Sequence, residues 1–252
     1  MEKIEEIGFG GLKLIQDPDG FKFGIDAILL ADFANALCPQ AEAIADLGTG
    51  NGIIPVVLSH KNQSCRVTGI DVQAKAIKLS NRNRQLNHLE DRLAFLQMDI
   101  RDVLEQRPGF ERHFDAVVTN PPYVPSGSGI ANADDAKFIA RQETTADLEC
   151  FIRTAARMLR DRGHFFIVQR PSRLADLIYY CRKYGLEPKH LQMVTPRSGE
   201  RPNILLLHCI LGAGRELTVL EELAVRDENN SYTLEIERIY ERENSRFDEK
   251  TS

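Results

Sequence analysis

The chain has 252 residues, 42 % hydrophobic and 27 % charged, with a formal net charge of −5 from 32 Lys plus Arg against 37 Asp plus Glu. A chain of this size buries enough surface for an unaided core, and the balance of residues excludes disordered, collagen-like and fibrous classes. No run approaches the roughly 20 apolar residues of a bilayer span, and the first six residues carry no signal-peptide core, so a cytoplasmic protein without membrane contact is expected.

Asp17-Pro18-Asp19-Gly20 is rich in turn formers, Phe21-Lys22-Phe23 follows, and Ile25, Ile28, Leu29 and Phe33 fall at helical spacing. A small hairpin feeding a first helix is expected, an extension over residues 1–40 packed on the core. From residue 43, short apolar runs ending in acids alternate with helical patterns. Strands are predicted at Ala43 to Asp46, Val67 to Asp71, Leu93 to Asp99 and Phe114 to Thr119, and helices at 52 to 60 and 73 to 87. That alternation predicts an α/β fold, a doubly wound and mostly parallel sheet covered on both faces. The rhythm continues with a helical stripe of Leu148, Phe151, Ile152, Ala155 and Leu159, for which Thr144 and Asp147 form a candidate capping box. A buried strand is expected from Gly163 to Val168. Ser172 then opens a helix striped by Leu174, Leu177, Ile178 and Cys181 and closed by Gly185, and a last strand runs from Ile204 to Ile210. The main domain spans 41–212, and 213–252 is expected to be a peripheral acidic tail of helical pattern.

The five cysteines, Cys38, Cys65, Cys150, Cys181 and Cys209, stand at least 27 residues apart with no histidine at ligand spacing. Neither a metal site nor a disulfide framework is expected, and each cysteine reads as a small buried apolar residue. Charge is uneven along the chain: residues 1–140 sum to −5, 141–201 to +5 and 202–252 to −5. A basic block between acidic flanks suits a localised phosphate-binding face.

The first chemistry-bearing run is Asp46-Leu47-Gly48-Thr49-Gly50-Asn51-Gly52, which follows a predicted strand and opens a helix. Glycines there permit a tight turn and let a ligand lie against bare backbone. A dinucleotide loop reads G-x-G-x-x-G and holds a pyrophosphate, whereas this run reads G-x-G-x-G with a carboxylate two residues ahead of it. Asp46 would repel phosphate and attract an ammonium group. The run resembles motif I of class I S-adenosylmethionine methyltransferases. Asp71 lies 19 residues beyond Gly52 and ends the next strand beside Val72, where it can accept both ribose hydroxyls. Asp99, followed by Ile100, ends the third strand, where it can accept from an adenine amino group. Asp46, Gly48, Thr49, Gly50, Gly52, Asp71, Val72, Asp99, Ile100 and Asn120 are therefore the candidate residues for S-adenosyl-L-methionine.

Asn120-Pro121-Pro122-Tyr123 closes the strand that ends at Thr119. Proline confines the residue before it to extended conformations, so the turn is preorganised. It resembles the N-P-P-Y motif of methyltransferases acting on planar exocyclic or amide nitrogens. The resemblance implies that the Asn120 side-chain oxygen and the Pro121 carbonyl accept the two N–H bonds of the target amine, while Tyr123 stacks on its ring.

Resemblance to one family covers most of the chain. The run from Gly20 to Ala31, Ala140-Arg141-Gln142-Glu143, Gln169-Arg170-Pro171-Ser172-Arg173-Leu174 and Arg201-Pro202-Asn203 resemble the bacterial tRNA1(Val) (adenine-37-N6)-methyltransferases. Family members more usually carry His at 142 and 169 and Ala at 202. The resemblance implies a seven-stranded Rossmann-like sheet and N6-methylation of adenine in tRNA. Arg141, Arg170, Arg173, Arg197 and Arg201 in the basic block are the candidate RNA contacts. The polar, Gly-rich stretch 124–140 is expected to be mobile without substrate and to help form the base pocket. Two enzyme alternatives stand beside this reading: glutamine N5-methylation of a protein such as a release factor, and N2-methylation of guanine in RNA. A non-catalytic sensor or RNA-binding module on the same fold is a third. No obligate protein partner is evident.

Overall fold

The computed structural model describes residues 3–8, 10–16, 24–121 and 148–241. Strands β1 (Lys3–Glu6) and β2 (Lys13–Gln16) pair antiparallel as an N-terminal hairpin. β1 is exposed throughout, whereas β2 buries Leu14 and Ile15. The hairpin thus closes before the turn-rich run; residues 17–23, with Phe21-Lys22-Phe23, lie outside the described residues. Helix α1 (Ile25–Leu37) follows, apolar on nearly every side, and its Ala27, Ile28, Leu29, Leu30, Ala31 and Phe33 are all buried.

The main sheet contains seven strands, the number that the resemblance implies, of which periodicity gives all but β8: β3 (Ala43–Leu47), β4 (Arg66–Asp71), β5 (Leu93–Gln97), β6 (Phe114–Thr119), β7 (Leu159–Gln169), β8 (Leu186–Arg197) and β9 (Ile204–Leu211). Their order is β8-β9-β7-β6-β3-β4-β5, parallel except for β9, which runs antiparallel to both its neighbours. Helices α2 (Ile53–Lys61), α3 (Ala74–Leu86), α4 (Val103–Gln106), α5 (Leu148–Met158) and α6 (Leu174–Lys183) connect them. Successive residues of a strand point to opposite faces, and the core divides accordingly. Ile44, Val67, Ala116, Val118 and Phe166 pack on one face with α1 and α2. Ala45, Leu47, Ile70, Val117, Phe165 and Ile167 pack on the other with α5 and α6. Both faces being buried explains why β6 reads as an almost unbroken apolar run. All five cysteines are free and buried in this core.

Two features were not foreseen. β8 was missed because Pro188 and its polar neighbours break the alternation; the structure absorbs the proline at a register shift between Pro188 and His190. The tail is not the helical segment expected. Its strands β10 (Thr218–Val219) and β11 (Leu223–Arg226) pair in parallel with β8, bringing the sheet to nine strands. A short helix, α7 (Leu234–Ile239), then seats Ile236 and Tyr240 in the core beside α1 and α2. A β8 edge with unpaired backbone groups needs a cover, and the tail supplies it.

From β3 the chain winds outward to β4 and β5, then returns to β6 on the other side and winds to β7. The carboxyl ends of β3 and β6 therefore flank a topological switch point, where open α/β sheets bind ligands.

Candidate functional site

Asp46 is the penultimate residue of β3. Its side chain is wholly buried, and neither carboxylate oxygen has a hydrogen-bond partner among the described residues. Burial pushes its pKa up to about 7. Beyond it the chain turns into α2 through Gly48, Gly50 and Gly52, with φ of +76°, +55° and +82°. The turn is fixed by Gly48 and Thr49, whose N–H groups both donate to the Ile70 carbonyl, at 2.8 and 3.0 Å. At Gly52 a side chain fails on space as well as on φ, since a Cβ would lie 2.9 Å from Phe95 Cζ and 3.0 Å from Ser80 Cβ. Thr49 Oγ1 and Asn51 Nδ2 are also buried without a partner among the described residues.

Asp71 ends β4 and secures this loop: its Oδ2 accepts Gly50 N–H at 2.9 Å, and its Oδ1 accepts Gln73 N–H at 2.9 Å. Burial raises its pKa, against the backbone donors of Gln73 and Gly50. One acceptor position remains on each oxygen, and Val72 beside it presents an apolar side chain that is 42 % exposed. Asp99 differs. It lies in the loop after β5, its carboxylate is bracketed by Arg101 Nε at 2.9 and 3.0 Å, and that bond holds its pKa below the usual carboxylate range. The adjacent Ile100 is buried, and its carbonyl accepts the Thr154 hydroxyl of α5 at 3.2 Å.

β6 lies next to β3 with Leu47 opposite Thr119, so Gly48 and Asn120 leave neighbouring strand ends at the same level. Thr119 Oγ1 donates to the Leu47 carbonyl at 2.7 Å and fixes that level. Asn120 is partly exposed and Pro121 buried; Pro122 and Tyr123 lie outside the described residues, as do the 124–140 stretch, Arg141, Gln142, Thr144 and Asp147. The remaining candidate arginines follow the same edge of the sheet outward. Arg170 follows β7 and donates to the Asn203 carbonyl at 3.0 Å, Arg173 pairs with Asp176 at 2.8 Å, and Arg197 donates to Asn230 Oδ1 at 2.9 Å. Arg201 is exposed just before β9. The tail adds Arg226, opposite Arg197 in the ladder and stacked 4.6 Å over the Tyr232 ring.

Sequence reasoning missed the residues beneath the site. Phe151 of α5 packs under the loop, 3.3 Å from where a Gly48 Cβ would stand, and Asn83 of α3 donates to the Asn51 carbonyl at 2.9 Å. The stripe of α5 was legible, but not what it lay against. Asn83 and Asn87, four apart on a helix, were the available signal for the second.

The residues present fit S-adenosylmethionine. An orphaned buried carboxylate beside bare glycine backbone suits a ligand with an amino group and repels phosphate, and Asp71 with Val72 offers acceptors for a diol next to an apolar surface for a ring. Among the described residues no group of three His, Cys, Asp or Glu is placed to hold a metal ion, and no helix is long and apolar enough to cross a membrane.

Comparison with known proteins bears on the same region. The family model described as methyltransferase small domain matches residues 24–177. A tRNA1(Val) (adenine(37)-N6)-methyltransferase of Porphyromonas gingivalis strain W83 is 31 % identical over 188 residues, 73 % of this chain and 72 % of that protein. One of the same name from Tolumonas auensis is 27 % identical over 87 % of this chain and 88 % of its own length. The crystal structure of a predicted O-methyltransferase from Agrobacterium tumefaciens superposes with a TM-score of 0.69 at 22 % identity, covering 86 % of this chain and 95 % of that one. M. jannaschii TYW2 in complex with AdoMet superposes at 0.57 with 16 % identity, over 83 % and 84 % of the two chains. These two share the fold. The chain is a methyltransferase of the methyltransferase small domain family, and within it belongs to the tRNA1(Val) (adenine(37)-N6)-methyltransferases.

Proposed function

We propose that this enzyme transfers the methyl group of S-adenosylmethionine to N6 of an adenine in tRNA, adenine 37 of tRNA1(Val). The observation that carries the reading is the register of β3 and β6, which sets the glycine loop and the Asn120-Pro121 turn side by side at the switch point. The names of the relatives, over most of the chain, support the tRNA substrate.

Asp46 would hold the amino group, the Gly48–Gly52 backbone the amino acid part and Asp71 the ribose, with Val72 against the adenine ring. Asp99 would act with Ile100 at the far end of that ring, positioned by its pairing with Arg101. When bound, the cofactor supplies an electrophilic methyl carbon on a sulfonium. What the chain must do is make a planar amine nucleophilic, because its lone pair is delocalised into the purine. The Asn120 side-chain oxygen and the Pro121 carbonyl each accept one N–H, which favours a tetrahedral nitrogen and aims its lone pair. Both acceptors are neutral amide oxygens, so the proton shed by the methylated nitrogen passes to solvent. Tyr123 would stack on the extruded base, and Arg141, Arg170, Arg173, Arg197 and Arg201 would take the flanking phosphates.

The test is to incubate the protein with labelled cofactor and total bacterial tRNA, then digest and identify the product. N6-methyladenosine is expected at one position of one tRNA; N2-methylguanosine, or transfer to a release-factor peptide in place of tRNA, overturns the reading. Asn120→Ala is expected to lower kcat by about 10²–10³-fold while S-adenosylhomocysteine still binds. An intact rate in that variant would remove the mechanism.

A further inference from the structure

Asn83 has no exposed surface and uses both ends of its carboxamide on backbone groups far apart in sequence. Its Oδ1 accepts the N–H of Ile15 in β2 at 2.8 Å, and its Nδ2 donates to the carbonyl of Asn51, between Gly50 and Gly52, at 2.9 Å. The partners set the orientation of the amide, since an N–H requires the oxygen and a carbonyl requires the nitrogen. One helical turn later, Asn87 Oδ1 accepts Lys13 N–H at 2.9 Å and its Nδ2 donates to the Lys13 carbonyl at 2.7 Å. The edge of β2 turned away from β1 is thus paired with the side chains of Asn83 in α3 and of Asn87 at its C-cap, in place of a third strand. A two-stranded hairpin is marginal by itself, so its seating depends on these bonds and on the burial of Leu14 and Ile15.

We infer that Asn83 is a positioning residue that ties the conformation of the glycine loop to the seating of the N-terminal hairpin, so that cofactor binding and hairpin docking are linked equilibria. This rests on the proposed role of the Gly48–Gly52 loop as the cofactor cradle. The Asn51 carbonyl can meet Nδ2 only when the loop holds the turn that Gly50 and Gly52 make, and Oδ1 can meet Ile15 only when the hairpin is down. One rigid carboxamide, buried between the two, favours both states together. A ligand that fixes the loop must then protect the hairpin, and a seated hairpin must tighten the ligand by the same factor.

Hydrogen exchange of the Ile15 amide reports the Asn83 bond directly. In the wild-type protein, saturating S-adenosylhomocysteine is expected to slow that exchange severalfold; no change anywhere in the hairpin would overturn the inference. By calorimetry, Asn83→Ala is expected to raise the dissociation constant of S-adenosylhomocysteine about tenfold, the effect of losing one buried hydrogen bond that orders a site. Asn83→Asp keeps an acceptor for Ile15 but loses the donor to Asn51; it should keep the ligand-free hairpin protected and still weaken binding. If the alanine variant does not fold, the aspartate variant decides, and wild-type affinity in it refutes the proposal. Asn87→Ala should speed exchange at Lys13 while the ligand still slows it at Ile15. Gly50→Val tests the cradle separately. If that variant binds as the wild type does, the cradle is elsewhere; if it loses binding while Asn83→Asp keeps it, only the present inference fails.

Discussion

A carboxylate with no exposed surface and no hydrogen-bond partner among the described residues is costly as an anion, and at Asp46 burial has moved the pKa from 3.8 to about 7. The folded state therefore holds a proton there that the unfolded chain releases above 3.8, and this residue lowers stability as pH rises from about 4 to 7. A cationic amino group would reverse the preference and favour the anion. Affinity for S-adenosylmethionine should then rise up to about tenfold per pH unit below 7 and level off above it, a dependence that Asp46→Asn abolishes along with most of the affinity. In the ligand-free state the same variant should be more stable by roughly 1–3 kcal/mol at pH 8. Calorimetry across pH, with urea unfolding, checks both; a flat wild-type profile would mean that Asp46 meets no cation. Gly52→Ala is expected to cost about 1–3 kcal/mol and to disturb the loop, because its Cβ strikes Phe95 and Ser80 at a φ of +82°. The glycines, Asp46, Asp71 and Asn120 were legible in the sequence because their chemistry is local: an acid at a strand end, a turn that needs glycine, an asparagine held before proline. The partners were not. Arg101 stands two residues from Asp99 without announcing an ion pair, and the four-residue spacing of Asn83 and Asn87 marks a polar face of α3 without naming the partners of Asn83, 68 and 32 positions away.

Periodicity sufficed for the elements buried on both faces. β3, β4 and β6 are apolar runs bounded by acids or turns, and the structure places them within a residue or so of the expected limits. It failed where a strand is mixed in character. β8 carries a proline and three polar residues in its first half, and β11 is four residues that mean nothing until β8 is there to receive them. The tail looked solvated because acids dominate it, yet its few apolar residues are the ones that dock. Ile236 is fully buried in a helix of six residues whose N-cap, Thr233, accepts the Ile236 N–H at 3.4 Å. Around it, Glu241 pairs with His60 at 2.9 Å, and Lys61 donates to the Ile239 carbonyl at 2.9 Å. Ile236→Ala should therefore cost about 2–4 kcal/mol in urea unfolding, a core-sized loss, while S-adenosylhomocysteine affinity holds, because α7 meets α2 at His60 and Lys61, the end opposite the glycine loop. A loss below about 0.5 kcal/mol would show that the tail is a surface ornament after all.

At the scale of the whole molecule the strands bring together what the sequence keeps apart, and the histidines of β7, β9 and β8 are the clearest case. His208 lies between His164 and His190, with Nε2 2.9 Å from His164 Nδ1 and Nδ1 3.0 Å from His190 Nδ1, and Phe166 stacks on its ring 4.6 Å away. A neutral imidazole has one donor and one acceptor, so the three rings form a chain that is satisfied with every ring uncharged. Burial, helped by the neighbouring His164, His190 and Lys189, brings the His208 pKa down to about 3. Burial and Arg160 and Arg162 lower that of His164 against the pull of Asp115, and burial with Lys189 lowers that of His190. The unfolded chain takes up a proton near 6.5 that the folded chain refuses until about 3, so stability falls as pH drops through that window. At pH 4.5 the contribution of His208 is a loss of roughly 2–3 kcal/mol relative to pH 8, a large share of the 5–15 kcal/mol typical of a folded domain. Asp46 acts in the opposite sense over an overlapping range, which places maximal stability of the ligand-free enzyme between the two limbs, and a ligand that pairs with Asp46 should lift the alkaline limb alone. His208→Phe keeps the stack on Phe166 and removes the titrating group. On going from pH 8 to 4.5 its unfolding free energy should therefore move toward greater stability relative to the wild type by most of that 2–3 kcal/mol, since Asp46 still gains over that range and His208 no longer offsets it. Equal changes in the two proteins would show that the buried ring does not set the acid limit.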